Sequence, residues 1–432
     1  MKKENSEADI NLDQFDQLDD FEEEEIPPQK WSIVWHLMKQ LHIGMSLSRI
    51  NLPTYFLETR STIQRFTDWM AHADILRQIE TEPDPMLRCL HLVTWIVSGF
   101  HLSPRAPRKP YNSLLGEVFR SALISQDNEI IGTYIAEQVS HHPPISAFHY
   151  CDRKGGVIVW GHTEMRSQFL GNSVAAKMDH ENTRVNLELT KIGETYEFNF
   201  PDMYGCGLIF GRLRMEIVGT VRIRCIQTGV TSIINFLSKG IFEKRGNRFN
   251  GYIFTPELPF ARNGPISFEG RWSTHMRVKD SRKQQTFIPF NVRFSIPLQI
   301  VAPPLEEQSE YESQNLWKYV SLYLKKDDTI NATNHKYALE EKQRKEREFF
   351  EQNNLEWQYQ AFHFDEETKR YVPNDLNLQP YDESEPPQTM PPPFERPKLI
   401  QMALDEGVTK TIKEIQEETE NAIHRTNVNI LN

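Results

Sequence analysis

The stretch Glu129–Pro144, EIIGTYIAEQVSHHPP, decides how the chain is read. Its first part is rich in β-branched and aromatic residues, the texture of a strand. Its end is abrupt. Proline has no N–H and a fixed φ, so Pro143 and Pro144 cannot continue a central strand or a helix. The residue before a proline is pushed towards extended geometry, which predicts an extended His142. Neighbours in a regular strand face opposite ways. His141 and His142 can therefore share a ligand only where a strand ends and the chain turns. On these residues alone the motif stays open between such a strand end and a surface turn with two solvated histidines. A metal site is poorly matched, since no Cys pair or H-E-x-x-H accompanies the tandem histidines.

Outward from this stretch the same texture persists from about Val118 to Arg293, in runs such as GVIVWGHTEM, RVNLELT, YEFNF and GLIFGRLRMEIVGTVRIRC. Short alternating runs bounded by Gly, Asp and Asn predict a long antiparallel meander, a barrel or a sandwich rather than a βαβ array. Helical patterns flank it. KWSIVWHLMKQLHI places Ile33, Val34, Leu37, Met38 and Leu41 on one face and ends at Gly44. Residues from Glu58 to about Leu102 read as helical with a break near EPDP, and Glu307 to Glu351 as a charged helix. A proline-rich segment occupies 372–398 and a last amphipathic helix about 397–422.

The chain has 432 residues with 49 Lys and Arg against 60 Asp and Glu, a formal charge of −11. Eleven acids and two lysines fall in the first 26 residues, so residues 1–27 read as an acidic disordered tail and the remainder is near balance. That excludes a basic nucleic-acid face and strong capture by anionic membranes through net charge. Four dispersed cysteines without a C-x-x-C pair suggest free thiols in a reducing compartment. No signal-like N-terminus is present, and LRCLHLVTWIVSGFHL, interrupted by Arg88 and His91, reads as a buried helix rather than a span. The expectation is a soluble, cytoplasmic, monomeric protein.

EQVSHHPP closely resembles the fingerprint of the oxysterol-binding protein-related lipid-transfer family. LPTYFLE (Leu52–Glu58), KPYNSLLGE (Lys109–Glu117) and KYALEEKQR (Lys336–Arg344) resemble the same family in the same order, and the likeness covers about residues 31–425. The pleckstrin-homology and ankyrin modules of longer relatives have no counterpart, so the expectation is a stand-alone lipid-binding domain. The resemblance implies an α+β fold, an incomplete antiparallel β-barrel enclosing a lipid tunnel, with an N-terminal lid and flanking helices. The corresponding regions are a lid at 28–57, helices at 58–110, the barrel at 111–300 and a C-terminal helical region at 301–432, with 28–425 one domain.

The resemblance also implies a role for each motif. His141 and His142 would contact the 4-phosphate of phosphatidylinositol 4-phosphate, with Lys109 and Asn112, and with Lys336, Glu340 and Arg344 from one helix face. Their spacing of four and eight residues puts that face within about 12 Å end to end. NLPTYFLE and RSQFLGNS resemble the phosphatidylserine-carrying branch, in which Leu52, Thr54, Asn112 and Ser167 would hold the second lipid. Tyr111 and Ser113 depart from the family's usual Leu and Pro, and Gln314 and Asn315 stand where relatives often carry basic residues. The implied function is exchange of phosphatidylinositol 4-phosphate for phosphatidylserine between membranes, with no cofactor, no metal and no catalysis. Sterol exchange or sensing and a lipid-gated scaffold are the alternatives. Its partners would be membrane lipids, met peripherally, with endoplasmic-reticulum contact sites as one setting. A hydrolase using a histidine beside Glu137 lacks a Gly-x-Ser-x-Gly elbow.

Overall fold

The computed structural model describes residues 42–45 and 57–374, apart from 104–107, 153–155, 210–211, 241–242, 244 and 257–263. The acidic tail, nearly all of the lid segment, the proline-rich segment beyond Asn374 and the last helix lie outside the described residues.

Strand β1 (Leu57–Ser61) pairs in parallel with β2 (Lys109–Tyr111), a strand pair in a region expected to be helical. Between them lie short helical turns and the helix α1 (Pro85–Ser98). The expected break at EPDP is its start: Asp84 accepts from Met86 N at 2.9 Å, and Pro85 occupies the first turn.

Among the described residues the large sheet has 15 strands. In chain order these are β3 (Val118–Ile124), β4 (Ile130–His141), β5 (Pro144–Asp152), β6 (Val157–Phe169), β7 (Ser173–Met178), β8 (Arg184–Leu189), β9 (Glu194–Phe198) and β10 (Asp202–Cys206). There follow β11 (Arg214–Cys225), β12 (Thr231–Phe236), β13 (Arg248–Phe254), β14 (Ile266–Arg271), β15 (His275–Asp280), β16 (Gln285–Asn291) and β17 (Gln299–Val301). Every pairing in it is antiparallel, as the meander predicted. The first half of β6 pairs with β8 and its second half with β7, and the two branches meet again at β11 through β9 and β10. The edge strands β16 and β17 are consecutive in the chain yet sit at opposite ends of the strand order. The barrel is therefore incomplete.

The segment 62–102 packs against the sheet's inner side. Phe66, Trp69, Leu92 and Trp95 join Phe119, Tyr134, Phe148, Ile223 and Val278 in one apolar core. Trp69 stacks on Phe66 at 4.8 Å and on Phe200 at 3.8 Å between ring centroids. Buried Arg88 fixes α1 to the sheet, donating Nε to Glu194 at 2.9 Å and Nη1 to the carbonyls of Glu82 and Pro83.

Strand β4 is buried on both faces at its centre, which explains why its sequence does not alternate cleanly. Tyr134 and Ala136 face the inner core, while Ile135 and Val139 pack with Ala361, Phe362 and Tyr371. Phe362 and Tyr371 belong to a hairpin, β18 (Phe362–Asp365) and β19 (Arg370–Pro373), in a region expected to be helical. Its turn is built by Asp365, which accepts from Glu367 N and the Thr368 hydroxyl, with Lys369 at φ +55°. The charged C-terminal helix divides into α2 (Lys318–Lys325) and α3 (Thr329–Gln352), α3 capped by Asp328 on Asn331 N at 3.1 Å.

Candidate functional site

Four stretches separated in sequence converge on one cleft of about 910 Å³. It is lined by Lys109 and Asn112, by His141 and His142, and by Lys336, Glu340 and Arg344. Leu355, Trp357 and Tyr359 also line it.

The histidines stand at a strand end, as the prolines required. β4 stops at His141 and β5 starts at Pro144, with His142 and Pro143 forming a two-residue turn that has a cis bond between them. A bulge between Gln138 and Ser140 re-aims the strand end, and Val139, Ser140, His141 and His142 all line the cleft. The two imidazoles sit edge to face, 4.6 Å between centroids. His141 donates its Nδ1 proton to the Ser113 carbonyl at 3.0 Å, which leaves Nε2 as the atom 3.5 Å from Asn112 Nδ2. Burial first, and then the neighbouring His142, push His141 down to about 4, so it is neutral at pH 7.

The KPYN loop is held from behind. Glu117, fully buried, accepts from Leu114 N at 3.0 Å, from the Ser313 hydroxyl at 2.7 Å and from Trp317 Nε1 at 3.0 Å. Tyr111 stacks on Trp317 at 4.6 Å and its hydroxyl meets Ser321 at 3.0 Å, so the extra ring is absorbed in packing. Gly116 has φ +73°, and a Cβ there would lie 2.0 Å from the Trp357 ring. Lys109 is pushed down to about 8 by burial and then by the like charge of Lys336, while Glu340 opposes the shift.

On α3, Lys336 Nζ pairs with Glu340 Oε1 at 2.7 Å. Arg344 pairs instead with Glu341 at 2.8 Å. Arg347 also lines the cleft and was missed in the sequence, although it lies eleven residues from Lys336 and so on the same helical face. Gln314 and Asn315 are occupied locally: Asn315 Nδ2 donates to the Gln308 and Ser309 carbonyls at 3.0 Å, and Gln314 accepts from Gln308 Nε2 at 3.0 Å.

Glu137 does not serve the histidines. Both of its oxygens accept from Gln360 N at 3.0 Å, and one from Ala361 N at 2.8 Å. Burial pushes it up to about 7 against those N–H groups. It pins the segment that carries Trp357 and Tyr359, which removes it as a partner for a histidine base.

Of the second set of expected residues, Asn112 lines the cleft. Leu52 and Thr54 lie outside the described residues, and Ser167 on β6, paired with Ala176, is not among the cleft's lining residues. Ser167 is two residues from Phe169, whose backbone bonds Gly44 and Met45 at 2.8 and 2.9 Å. Among the described residues no group of three or more His, Cys, Asp or Glu is placed to hold a metal, and no helix is long and apolar enough to cross a membrane.

The family pattern described as "Oxysterol-binding protein" matches residues 33–326. Human oxysterol-binding protein-related protein 5 is 34% identical over 353 residues, 81% of this chain and 39% of that protein. Oxysterol-binding protein 4 of Dictyostelium discoideum is 33% identical over 374 residues, 84% of this chain and 78% of that protein. The chain thus spans about two fifths of the length of the human relatives it matches. Among solved structures, the Osh1 ORD domain in complex with ergosterol superposes with a TM-score of 0.67 at 23% identity, covering 79% of this chain and 86% of that one. The Osh3 ORD from Saccharomyces cerevisiae in complex with PI(4)P superposes with a TM-score of 0.61 at 20% identity, covering 82% and 92%.

Proposed function

The chain belongs to the oxysterol-binding protein family, and on that premise we propose that it carries phosphatidylinositol 4-phosphate in exchange for phosphatidylserine between membranes. The observation that carries this reading is the convergence of Lys109, Asn112, His141, His142, Lys336, Glu340 and Arg344 on one cleft. A phosphomonoester brings about −1.5 to −2 charge and three strong acceptor oxygens. It cannot leave water without donors and cations around it. The cleft supplies lysine ammonium groups, an amide and two imidazoles, with Glu340 to accept from ring hydroxyls.

The acyl chains need the rest of the domain. Roughly thirty methylenes at ~0.8 kcal/mol each make an exposed lipid cost ~20 kcal/mol or more in water. A barrel with an apolar interior replaces the bilayer around them. Nothing in this needs covalent chemistry, and the commitment of Glu137 to backbone N–H groups weighs against a hydrolase.

Loading couples to protons. His141 is neutral at pH 7, with Nδ1 committed to the Ser113 carbonyl and Nε2 left for a ligand. A phosphate at Nε2 needs a donor there, so its arrival draws a proton onto the ring. The site then binds more protons when loaded than when empty, and binding strengthens as pH falls from about 8 towards the phosphate's second pKa near 6.

Phosphatidylserine as the second lipid rests on Thr54, Asn112 and Ser167, neutral groups suited to a zwitterionic head. A sterol is the second reading, favoured by the complexes of the Osh1 domain with ergosterol and cholesterol. Transfer assays between liposomes with a separate fluorescent reporter for each lipid test the choice. Asn112→Ala should cripple both phospholipids and Ser167→Ala phosphatidylserine alone. Robust sterol transfer with no phosphatidylserine transfer would replace the second lipid and leave the phosphoinositide site standing.

A further inference from the structure

The helix face that meets the histidines carries one more cation than the motif names. At about 100° per residue, Arg347 returns to within about 20° of Lys336 around α3, while Arg344 lies about 80° away. Both arginines line the cleft and are about half exposed, 53% for Arg344 and 48% for Arg347, but Arg344 lies 2.8 Å from Glu341. Arg347 lines the cleft, and its carboxylate neighbour Glu351 stands at 3.7 Å, beyond hydrogen-bond distance. The cleft's electrostatics divide along the same line. Lys109 feels Lys336 and Glu340. His141 feels His142, Glu340 and the positive charge of Arg347. Glu340, which pairs with Lys336 at 2.7 Å, acts on both groups.

We propose that Arg347 is a phosphate-binding residue of this cleft, acting with His141 and His142 at one pole while Lys109 and Lys336 form the other. The assignment rests on the phosphoinositide reading of the site. A phosphorylated inositol lipid has two anionic groups, a diester and a ring monoester, with hydroxyls between them. The poles suit the two anions and Glu340 the hydroxyls. The planar guanidinium can hold two oxygens of the monoester at once, a geometry that a lysine cannot reproduce. Without an anion, Arg347 opposes protonation of His141. With a phosphate between them the two cations support each other, so the pole assembles only around its ligand.

The experiment measures extraction of phosphatidylinositol 4-phosphate from phosphatidylcholine vesicles by the full chain, with thermal unfolding as the control for folding. R347Q should weaken extraction by about tenfold or more, the scale of a lost charge-assisted hydrogen bond, with an unchanged melting temperature. R347K should recover part of the loss. E351Q, which removes the acid paired with Arg347, should strengthen extraction in the wild-type background and much less in R347Q, a dependence that a purely structural arginine would not give. R344Q should cost less than R347Q. Wild-type extraction by R347Q alongside failure of the His141→Ala/His142→Ala double variant would overturn the assignment of Arg347 and leave the phosphoinositide site in place. Normal extraction by the double histidine variant would overturn the phosphoinositide reading itself, and this assignment with it.

Discussion

The two ends of EQVSHHPP do different work. Glu137 is fully buried and holds the backbone of Gln360 and Ala361, the start of the C-terminal hairpin. His141, four residues on, has a solvent-reached ring with one nitrogen anchored on the Ser113 carbonyl and the other turned to Asn112. Between them a bulge at Val139 breaks the strand's alternation. A short motif can thus combine a structural clamp with a ligand site, and the clamp builds the wall that the ligand site faces. Glu117 in KPYNSLLGE repeats the arrangement: it fixes the loop from behind while Lys109 and Asn112 line the cleft.

The strongest way to break the comparison is at the clamp. Glu137→Ala leaves buried backbone N–H groups without an acceptor, at roughly 1–3 kcal/mol each. The expected loss is about 3 kcal/mol or more of folding stability, read by denaturant unfolding, with uptake of every lipid falling together. A selective loss of one lipid with normal stability would show that Glu137 belongs to the ligand site. Gly116→Ala should be nearly as damaging, because a Cβ 2.0 Å from the Trp357 ring in a left-handed backbone forces the wall away.

Lys109→Met separates the halves from the other side. It removes a half-buried cation whose neighbours are Lys336 and Glu340, so stability should hold while phosphoinositide extraction drops by about tenfold or more. A smaller effect tests the proton coupling. Extraction by the wild type should rise modestly as pH is lowered from about 8 to about 6.5, and His141→Ala should reduce that slope to the part that Lys109, pushed down to about 8, contributes. A slope unchanged in the variant would place the proton elsewhere. The mildest change, Tyr111→Phe, removes only the hydroxyl contact to Ser321 and should cost about 1 kcal/mol or less, with extraction intact.

Much of this was legible in the residues. Pro143 and Pro144 forced a strand end, and the apolar alternation announced a meander. Helical spacing put Lys336 and Glu340 on one face, where they form an ion pair at 2.7 Å. What escaped was set by tertiary neighbours. Nothing local reveals that Glu137 meets residues 360–361, more than two hundred positions away, or that Tyr111 turns onto Trp317. Arg344 lines the cleft while pairing with Glu341 three residues before it, and Arg347 needed the helix geometry to be carried one turn further. The hairpin at Phe362–Pro373 was hidden by its charge, because a short strand pair gains its stability from packing on Ile135 and Val139 rather than from its own composition.

The most direct test of the central claim is extraction of phosphatidylinositol 4-phosphate from liposomes by the His141→Ala/His142→Ala double variant, alongside its thermal unfolding. These rings sit at a solvent-reached strand end, so the fold should persist with a melting temperature close to wild type. Extraction of the phosphoinositide should be lost, because the cleft no longer offers imidazole donors to the phosphate. A folded double variant that extracts the lipid as well as the wild type does would contradict the account.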